Sequence, residues 1–458
     1  MNTRLFAPKT RGHVVSRKPR NCALVTGLHP ADLAAFVATL DEKAAWRALE
    51  TCAPPLRAEI FSHLDGDLQV ALSEPLSREE LATLLTEMSP DDRVDLIQRL
   101  PAEKQSIVLG ALAFAEREDV RRLASYERGS AGAVMTSDYV SFSPATTVKE
   151  AIERLRIEAP KKETIYYAYV VDSSRRLKGF VSLKDLILAD PETSIADIMH
   201  REIIFGRAAD DQENIARMIR KYDLLALPVV DDNGMLTGIV THDDAVDIIV
   251  QEQTEDLEKL MAIQGPHEPG VYLHTSAFEH FQRRVVWIIL LAALGLLSGY
   301  IVESFGPLLM QLTVLATFMP MLADTGGNTG SQSATLVVRA LGLREIQPAD
   351  VVRVLWKELK VALPLGLVLS ALAFVRVFFF ADGSTFPHDI SPVMVGIAVA
   401  TALGLQVVTS TLIGALLPIA AARAKLDPAV VASPALTTVV DITGLFLYFM
   451  TVKLMLGL

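Results

Sequence analysis

The chain has 458 residues, of which 51% are hydrophobic and 21% charged, and its formal net charge is −11. Its apolar residues concentrate beyond about residue 282, in runs that reach the roughly 20 residues a membrane-spanning helix needs, which excludes a wholly soluble protein. Two cysteines, Cys22 and Cys52, and an N-terminal stretch without an apolar run indicate neither a disulfide framework nor a secretory signal, so we expect a cytosolic extramembrane part.

The N-terminal part divides into a tail and a helical domain. Residues 1–27 contain basic residues and no acid, which predicts a disordered basic tail. Residues 28–130 predict an all-α N domain of short amphipathic helices. One of these begins with Ser89 as its N-cap and places Asp91 and Asp95 four residues apart on one face. Leucines recur around the helix breaks, which predicts a stack of helical hairpins.

Residues 131–242 contain an internal duplication. The segment from Leu177 to Asp185 matches the segment from Leu236 to Asp244 at an offset of 59 residues. Each segment predicts a strand, a turn, a strand and a Ser/Thr-x-x-Asp motif, whose hydroxyl caps a helix. The pattern resembles a tandem pair of α/β CBS domains, in which the capped helix N-terminus can bind an anion.

A connecting segment, residues 243–282, follows the duplication. Its first part, 243–267, predicts a long acidic helix that runs toward the membrane and ends at prolines. Between residues 131 and 260 the chain carries 24 acidic against 15 basic residues, whereas residues 283–458 carry 9 against 11. Like charges three or four residues apart destabilise a helix by about 0.2–0.5 kcal/mol per pair. Such a face favours a cation as partner.

Residues 283–458 predict a transmembrane pore domain. Basic residues cluster on alternate loops, which by the positive-inside rule predicts a cytoplasmic N-terminus and an external C-terminus. We therefore expect a multi-pass protein of the cell (inner) membrane, with membrane lipid as a partner. The five predicted α-helical spans are 285–305, 308–338, 359–381, 392–422 and 429–456.

Polar residues interrupt two of these spans. Asp441 lies in the last span, where an ionised carboxylate costs at least about 2.5 kcal/mol, and it predicts a cation site. Residues 319–342 place glycines, amides and hydroxyls where hydrocarbon cannot satisfy them, which indicates a pore or transport site. There Asn328 supplies a neutral oxygen suited to hydrated Mg²⁺. Asp324 is either a second pore carboxylate or a helix-capping residue.

The Gly-Gly-Asn-Thr-Gly run at 326–330, the last-span aspartate and the order of the preceding domains together resemble the MgtE family of magnesium channels and transporters. The resemblance covers about residues 28–458 and implies a homodimer with its pore on the two-fold axis, where both copies of Asp441 face each other. It implies import of Mg²⁺ down the membrane potential, with no enzymatic activity and no nucleic-acid partner. Ser433 stands where some relatives place an amide, so selectivity is open.

In that family, intracellular Mg²⁺ also binds acidic clusters between the cytosolic elements and closes the pore. Family members bind ATP at the CBS pair as well, for which Tyr167 and Asp185 are the candidates here. The matching sensor positions are Glu59, Asp91 and Asp95 in the N domain, Asp211, Glu213 and Asp223 in the second CBS unit, and Asp244, Asp247, Glu252, Glu255 and Asp256 on the connecting helix.

Two other functions fit the same residues. One is transport of another divalent cation such as Co²⁺. The other is a membrane-anchored sensor of Mg²⁺ or a nucleotide that signals without conducting. A conducting protein should lose permeation in Asp441→Ala, whereas the activity of a sensor should not change.

Overall fold

The chain forms two compact units that divide after Val250. The predicted basic tail and Ser433 lie outside the described residues. The computed structural model describes residues 28–265, 272, 275–380, 390–431 and 434–458.

The first unit begins with a stack of eight short helices. Each helix packs on the helix after the next one along the chain, and buried leucines fill the space between them. The predicted all-α N domain is therefore confirmed. The helices are α1 (Pro30–Val37), α2 (Glu42–Glu50), α3 (Pro54–Ser62), α4 (Gly66–Ser73), α5 (Arg78–Glu87), α6 (Pro90–Arg99), α7 (Ala102–Leu109) and α8 (Phe114–Leu123).

In several of these helices, one polar side chain donates hydrogen bonds to the main-chain carbonyls at the end of the preceding helix. Arg57 donates to the main-chain carbonyls eight, seven and five residues before it. Gln69 and Arg93 donate at the same three offsets, and Gln105 donates at the last two. The last carbonyls of a helix lack partners within it, so these side chains satisfy helix ends that the stack buries.

Two three-stranded sheets follow, and in each the middle strand pairs parallel with the first strand and antiparallel with the third. The two sheets keep the offset of the duplication, since Tyr167 pairs with Ser182 and Ala226 pairs with Thr241. The elements are α9 (Ala131–Val134), β1 (Val140–Phe142), α10 (Val148–Glu158), β2 (Tyr167–Val171), β3 (Leu177–Ser182), α11 (Leu183–Leu188), α12 (Ile195–Ile198), β4 (Gly206–Arg207), α13 (Gln212–Tyr222), β5 (Ala226–Val230) and β6 (Leu236–Thr241).

The acidic connecting helix is α14 (His242–Leu260), and it is shorter than predicted. Ala262 takes a φ of +54°, and the amide of Ile263 donates to the carbonyl of Glu258 at 2.9 Å. This left-handed turn closes the helix before either proline is reached. The prediction that prolines end the helix was therefore wrong, because local capping acts first.

The second unit is helical, and four of the described helices are long and apolar enough to cross a membrane. The helices are α15 (Ala277–Ser304), α16 (Gly306–Gln311), α17 (Met319–Gly342), α18 (Val351–Phe380), α19 (Pro392–Arg423), α20 (Pro428–Val431) and α21 (Pro434–Leu456). The four apolar helices are α15, α18, α19 and α21. A short 3-10 turn, Thr313–Phe318, precedes α17.

The count of five predicted spans exceeds these four, because residues 308–338 do not form one apolar helix. That segment is divided among α16, the 3-10 turn and α17. The 24 residues of α17 are long enough to span a bilayer, but their amides, hydroxyls and Asp324 lower the hydropathy. The helix is nevertheless packed between α19 and α21.

Helix α19 is the centre of this unit and contacts α17, α18 and α21. Its approach to α17 is close, since a Cβ built on Gly414 would lie 2.9 Å from the carbonyl carbon of Gly330. Small residues permit such backbone contacts between membrane helices, where dispersion and close packing drive association. The polar segment of α17 is thereby held against the most buried helix of the unit.

Candidate ion pathway and cytosolic acidic sites

Helix α17 has three buried glycines on one side and an exposed pair of polar side chains on another. Gly326, Gly327 and Gly330 are buried, whereas Asp324 and Asn328 are exposed. The Nδ2 atom of Asn328 donates to Oδ1 of Asp324 at 3.1 Å, as residues four apart on a helix can. These two predicted pore residues therefore share one exposed face, while the glycines bring the helix against its neighbours.

Asp441 lies in α21, the last span, and its buried Oδ1 atom has no hydrogen-bond partner among the residues that the structure describes. The same face of α21 packs on α17, because Thr437 closely approaches Gly327 and Val440 closely approaches Gly326. An unpartnered buried carboxylate oxygen is costly unless a cation or water reaches it. This environment is compatible with a cation site at Asp441, which stays a prediction.

Gln406 of α19 is a polar residue that sequence reasoning missed. The residue is only 1% exposed. Its Nε2 atom donates to the carbonyl of Leu322 at 2.9 Å, and its buried Oε1 atom has no hydrogen-bond partner in the described part of the chain. A single glutamine amid apolar residues was the available signal, since an amide at membrane depth requires partners.

Glu358 of α18 is a second missed residue. It is 9% exposed, and the hydroxyl of Ser333 in α17 donates to its Oε2 atom at 2.9 Å. In the sequence Glu358 stands between Lys357 and Lys360, which made it resemble a solvated loop residue. The structure instead uses it to join two helices.

The end of α14 is tied to the loop before the last span. The Nζ atom of Lys259 lies 2.8 Å from Oδ2 of Asp427 and also contacts the predicted sensor residue Glu255. Burial opposes the charge of Lys259, but the hydrogen bonds to both carboxylates outweigh it and raise the pKa of this ammonium. Leu260 packs on a buried group that includes Ala334 of α17. Glu255 is thus engaged by an ion pair.

Two predicted sensor acids meet in the first unit. Burial, and then the charges of Asp92 and Asp244, raise the pKa of Asp91 well above its usual range, and none of the described residues forms a hydrogen bond with its Oδ1 atom. Burial also raises the pKa of Asp244 to about 6, although the amide and hydroxyl of Thr241 donate to its Oδ2 atom. These carboxylates are held where their ionised forms repel each other.

Glu163 joins this group, and no local sequence signal pointed to it. The residue as a whole is exposed, but burial of its carboxyl group, and then the charges of Asp244 and Asp243, raise its pKa to about 7. Burial and the charge of Asp243 also raise the pKa of Asp247. We call the following residues the acidic cluster: Asp91, Asp92, Glu163, Asp243, Asp244 and Asp247.

The predicted sensor positions of the second CBS unit carry local partners. Asp211 caps α13 by accepting the amide of Glu213 at 2.8 Å, and Glu213 pairs with Arg217. Asp223 ends α13 with a φ of +52°. In the N domain, Glu59 is exposed on α3. Local hydrogen bonding and capping are therefore the roles that the structure gives Asp211, Glu213 and Asp223.

The predicted metal clusters are not preassembled within the part of the chain that the structure describes, where no three acidic, histidine or cysteine side chains are placed to hold a metal ion together. Asp95 lies on α6 with Asp91, and Glu252 and Asp256 lie on α14 with Asp244. The acidic cluster gathers repelling carboxylates without closing them into a ligand cage.

The two predicted nucleotide-binding residues are neighbours in the first CBS unit. Tyr167 pairs across the sheet with Ser182, whose amide and hydroxyl donate to Oδ2 of Asp185 at 3.0 and 2.6 Å. The Nε2 atom of His200 lies 3.0 Å from the same oxygen. Burial raises the pKa of Asp185, but these hydrogen bonds together lower it below its usual value. Asp185 is thus a capping residue engaged on one oxygen.

Three family models match successive parts of the chain and together cover about three quarters of it. The model of the MgtE intracellular N domain matches residues 28–129, and that of the CBS domain matches 131–192 and 195–251. The model described as the MgtE divalent cation transporter matches residues 319–451. The order of these matches agrees with the order of the elements described above.

Individual proteins also match this chain, two of them over nearly their full length. The magnesium transporter MgtE of Thermus thermophilus is 39% identical over 432 residues, covering 94% of this chain and 93% of that protein. The magnesium transporter MgtE of Bacillus subtilis is 33% identical over 428 residues, covering 93% and 92%. A crystal structure of the cytosolic domain of the Mg²⁺ channel MgtE in complex with ATP is 40% identical, with a TM-score of 0.47, and covers 49% of this chain and 92% of that one. Because full-length relatives exceed 30% identity over nearly the entire sequence, the chain belongs to the MgtE family.

Proposed function

We propose that the chain is a magnesium channel or transporter that imports Mg²⁺ down the membrane potential. The observation that carries the proposal is the Asp441 carboxylate in the last span, with one buried oxygen that no group of the described residues satisfies. Mg²⁺ sheds water reluctantly, so such a site holds it with its waters. Moving two charges across 100 mV is worth about 4.6 kcal/mol, so uptake requires no ATP hydrolysis.

The magnesium-transporter names of two full-length relatives support Mg²⁺ as the cargo rather than Co²⁺. The proposal includes a homodimer with the pore on its two-fold axis, where Asp324, Asn328 and Ser433 accompany Asp441. The exposure of the Asp324–Asn328 face of α17 is compatible with that role. Basic loops on alternate sides support a cytoplasmic N-terminus and an external C-terminus.

We also propose that intracellular Mg²⁺ closes the pore through the acidic cluster. Burial is the main cause of the raised pKa values of Asp91, Asp244 and Glu163, and the charges of neighbouring carboxylates raise them further, so the ionised cluster is repulsive. A divalent cation removes that repulsion and draws α6 and α14 together. The ion pair between Lys259 and Asp427 then connects movement of the end of α14 to the loop before α21.

A regulatory nucleotide such as ATP is proposed to bind the first CBS unit beside Tyr167 and Asp185. The free oxygen of Asp185 is available to a ribose hydroxyl, and the ring of Tyr167, edge-on to Phe180 at 5.4 Å, offers an aromatic surface. Equilibrium dialysis of the full-length protein tests this. Binding should be lost in Tyr167→Ala, and unchanged binding in that variant would remove Tyr167 from the site.

Mg²⁺ flux into liposomes tests the transport function. Purified wild type, Asp441→Asn and Asp350→Asn are reconstituted with an internal Mg²⁺ dye and an inside-negative potential, and Co²⁺ is measured in parallel. Asp350 is the matched control, because it precedes the first residue of α18 and its carboxylate pairs with Arg353. We expect wild type and the control to conduct and Asp441→Asn to lose at least about tenfold.

The outcomes separate the candidate functions. Absence of flux in every sample, in vesicles shown to contain folded protein, would favour the non-conducting sensor. Faster movement of Co²⁺ than of Mg²⁺ would favour the other divalent cation as cargo. Flux through Asp441→Asn at the wild-type rate would remove Asp441 from the ion path.

A further inference from the structure

Gln406 occupies a junction of three helices that two glycines leave open. A Cβ built on Gly444 of α21 would lie 2.6 Å from Cδ of Gln406, and one built on Gly326 of α17 would lie 3.3 Å from the same atom, with Nε2 closer still in both cases. The carboxamide therefore lies between the backbones of α17 and α21. A side chain at either glycine would displace it.

The carbonyl to which the Gln406 carboxamide is hydrogen-bonded determines which of its two terminal atoms is the nitrogen. The carbonyl of Leu322 can only accept a hydrogen bond, so the atom that lies 2.9 Å from it is the donor Nε2. The Oε1 atom would lie 3.2 Å from a Cβ on Gly444 of α21, farther than Nε2, and among the described residues this buried atom has no hydrogen-bond partner. An unsatisfied buried acceptor is unfavourable, so a ligand that donates a hydrogen bond would stabilise it.

Helix α21 contributes a second orphaned oxygen on the same face. Asp441 and Gly444 are three residues apart, and residues at that spacing are neighbours on a helix surface. Within the part of the chain that the structure describes, the buried Oδ1 atom of Asp441 has no hydrogen-bond partner, and neither has Oε1 of Gln406. Thr437, one turn before Asp441, approaches α17 at Gly327, so this stripe of α21 faces the junction. The negative acceptor of Asp441 is therefore on the stripe that the neutral carboxamide of Gln406 approaches within one turn, at Gly444.

We infer that Gln406 and Asp441 together form a buried polar site for a hydrated divalent cation, in which the carboxamide oxygen of Gln406 accepts a hydrogen bond from cation-bound water and contributes to cation selection. This inference rests on the proposed transport function and deepens it. Mg²⁺ keeps its waters in near-ideal octahedral geometry, so an acceptor at a defined position favours it. Ca²⁺ accepts irregular coordination and depends less on one such acceptor.

Replacement of the amide tests the inference in the liposome assay. Gln406→Leu removes both polar atoms at similar size, and Gln406→Glu keeps an acceptor and adds a charge. Thr409→Val is the control, because the Thr409 hydroxyl on the exposed side of α19 donates only to its own helix at the carbonyl of Leu405. The readouts are the half-saturating Mg²⁺ concentration, the maximal flux and the preference for Mg²⁺ over Ca²⁺.

We expect Gln406→Leu to raise the half-saturating Mg²⁺ concentration about tenfold and to reduce the preference over Ca²⁺ by a similar factor, as loss of outer-shell partners does. Gln406→Glu should lower the half-saturating concentration, and Thr409→Val should match wild type. A purely structural amide would instead lower the amount of folded protein and the maximal flux of both cations equally. Unchanged half-saturation and preference in Gln406→Leu would overturn the inference.

A substitute variant and a second measured outcome also test the inference. If Gln406→Leu does not reconstitute, Gln406→Met replaces it, because an unbranched thioether adapts to irregular cavities. Wild-type half-saturation in Gln406→Glu would also count against the site. Failure of wild type to conduct would refute the proposed function itself, whereas conduction that depends on Asp441 but not on Gln406 would refute only this inference.

Discussion

Replacing Asp244 with asparagine should stabilise the first unit at neutral pH in the absence of Mg²⁺. Burial raises the pKa of Asp244 from 3.8 to about 6, so the folded state binds this proton more tightly than the unfolded state. Such a group contributes its full stability below the unfolded pKa, and that contribution is lost as the pH rises through the folded pKa. The free energy of unfolding of the wild type therefore falls between about pH 4 and pH 6 as Asp244 ionises. Asp244→Asn does not show this fall, because its amide has no charge.

The expected magnitude follows from the shift. About two pKa units correspond to about 3 kcal/mol at most. Neighbouring carboxyls relieve part of the repulsion by taking up protons themselves, and asparagine must still accept the capping hydrogen bonds from Thr241. We therefore expect Asp244→Asn to raise the free energy of unfolding by about 1–2 kcal/mol at pH 8, which is about 2–8 °C in melting temperature.

The assay is thermal unfolding of the full-length protein in detergent, at about pH 4.5 and about pH 8, with and without millimolar Mg²⁺. Asp232→Asn is the control, because Asp232 is exposed in the turn before β6. The advantage of Asp244→Asn should be largest at the higher pH and should shrink when Mg²⁺ is added, since the cation relieves the same repulsion. An advantage that is equal at both pH values, or absent, would refute the reasoning.

Three further predictions concern packing, capping and the connecting helix. Gly414→Ala should lower thermal stability in detergent by about 1–3 kcal/mol, because its Cβ would press on the α17 backbone, whereas Gly342→Ala, whose Cβ meets nothing, should match wild type. Arg93→Met should cost about 2–4 kcal/mol in urea unfolding, because the carbonyls at the end of α5 lose their donor; a wild-type midpoint would contradict this. Lys259→Met should speed limited proteolysis after α14, since Asp427 loses its ammonium partner; equal cleavage would argue against that tie.

Local signals in the sequence were sufficient for the order and type of the domains. The Ser89 cap, the duplication at an offset of 59 residues and the apolar run at 392–422 each depend on neighbours along the chain, and the structure contains the corresponding helices and strands. The end of α14 was placed wrongly, because a left-handed turn at Ala262 closes the helix before the prolines. The sensor and pore assignments stay predictions.

The sequence by itself thus determined the helical N domain, the CBS pair, the acidic helix and four of the five predicted apolar spans, since hydrophobic periodicity and capping motifs are properties of short segments. Only the tertiary structure decided that Gln406 carries an orphaned oxygen and that Glu163 joins Asp91 and Asp244. Contacts between residues distant in the chain determine which side chains are buried and which polar atoms find a hydrogen-bond partner. Short sequence patterns do not specify those contacts, so only the folded structure shows which buried polar atoms are left to interact with an ion.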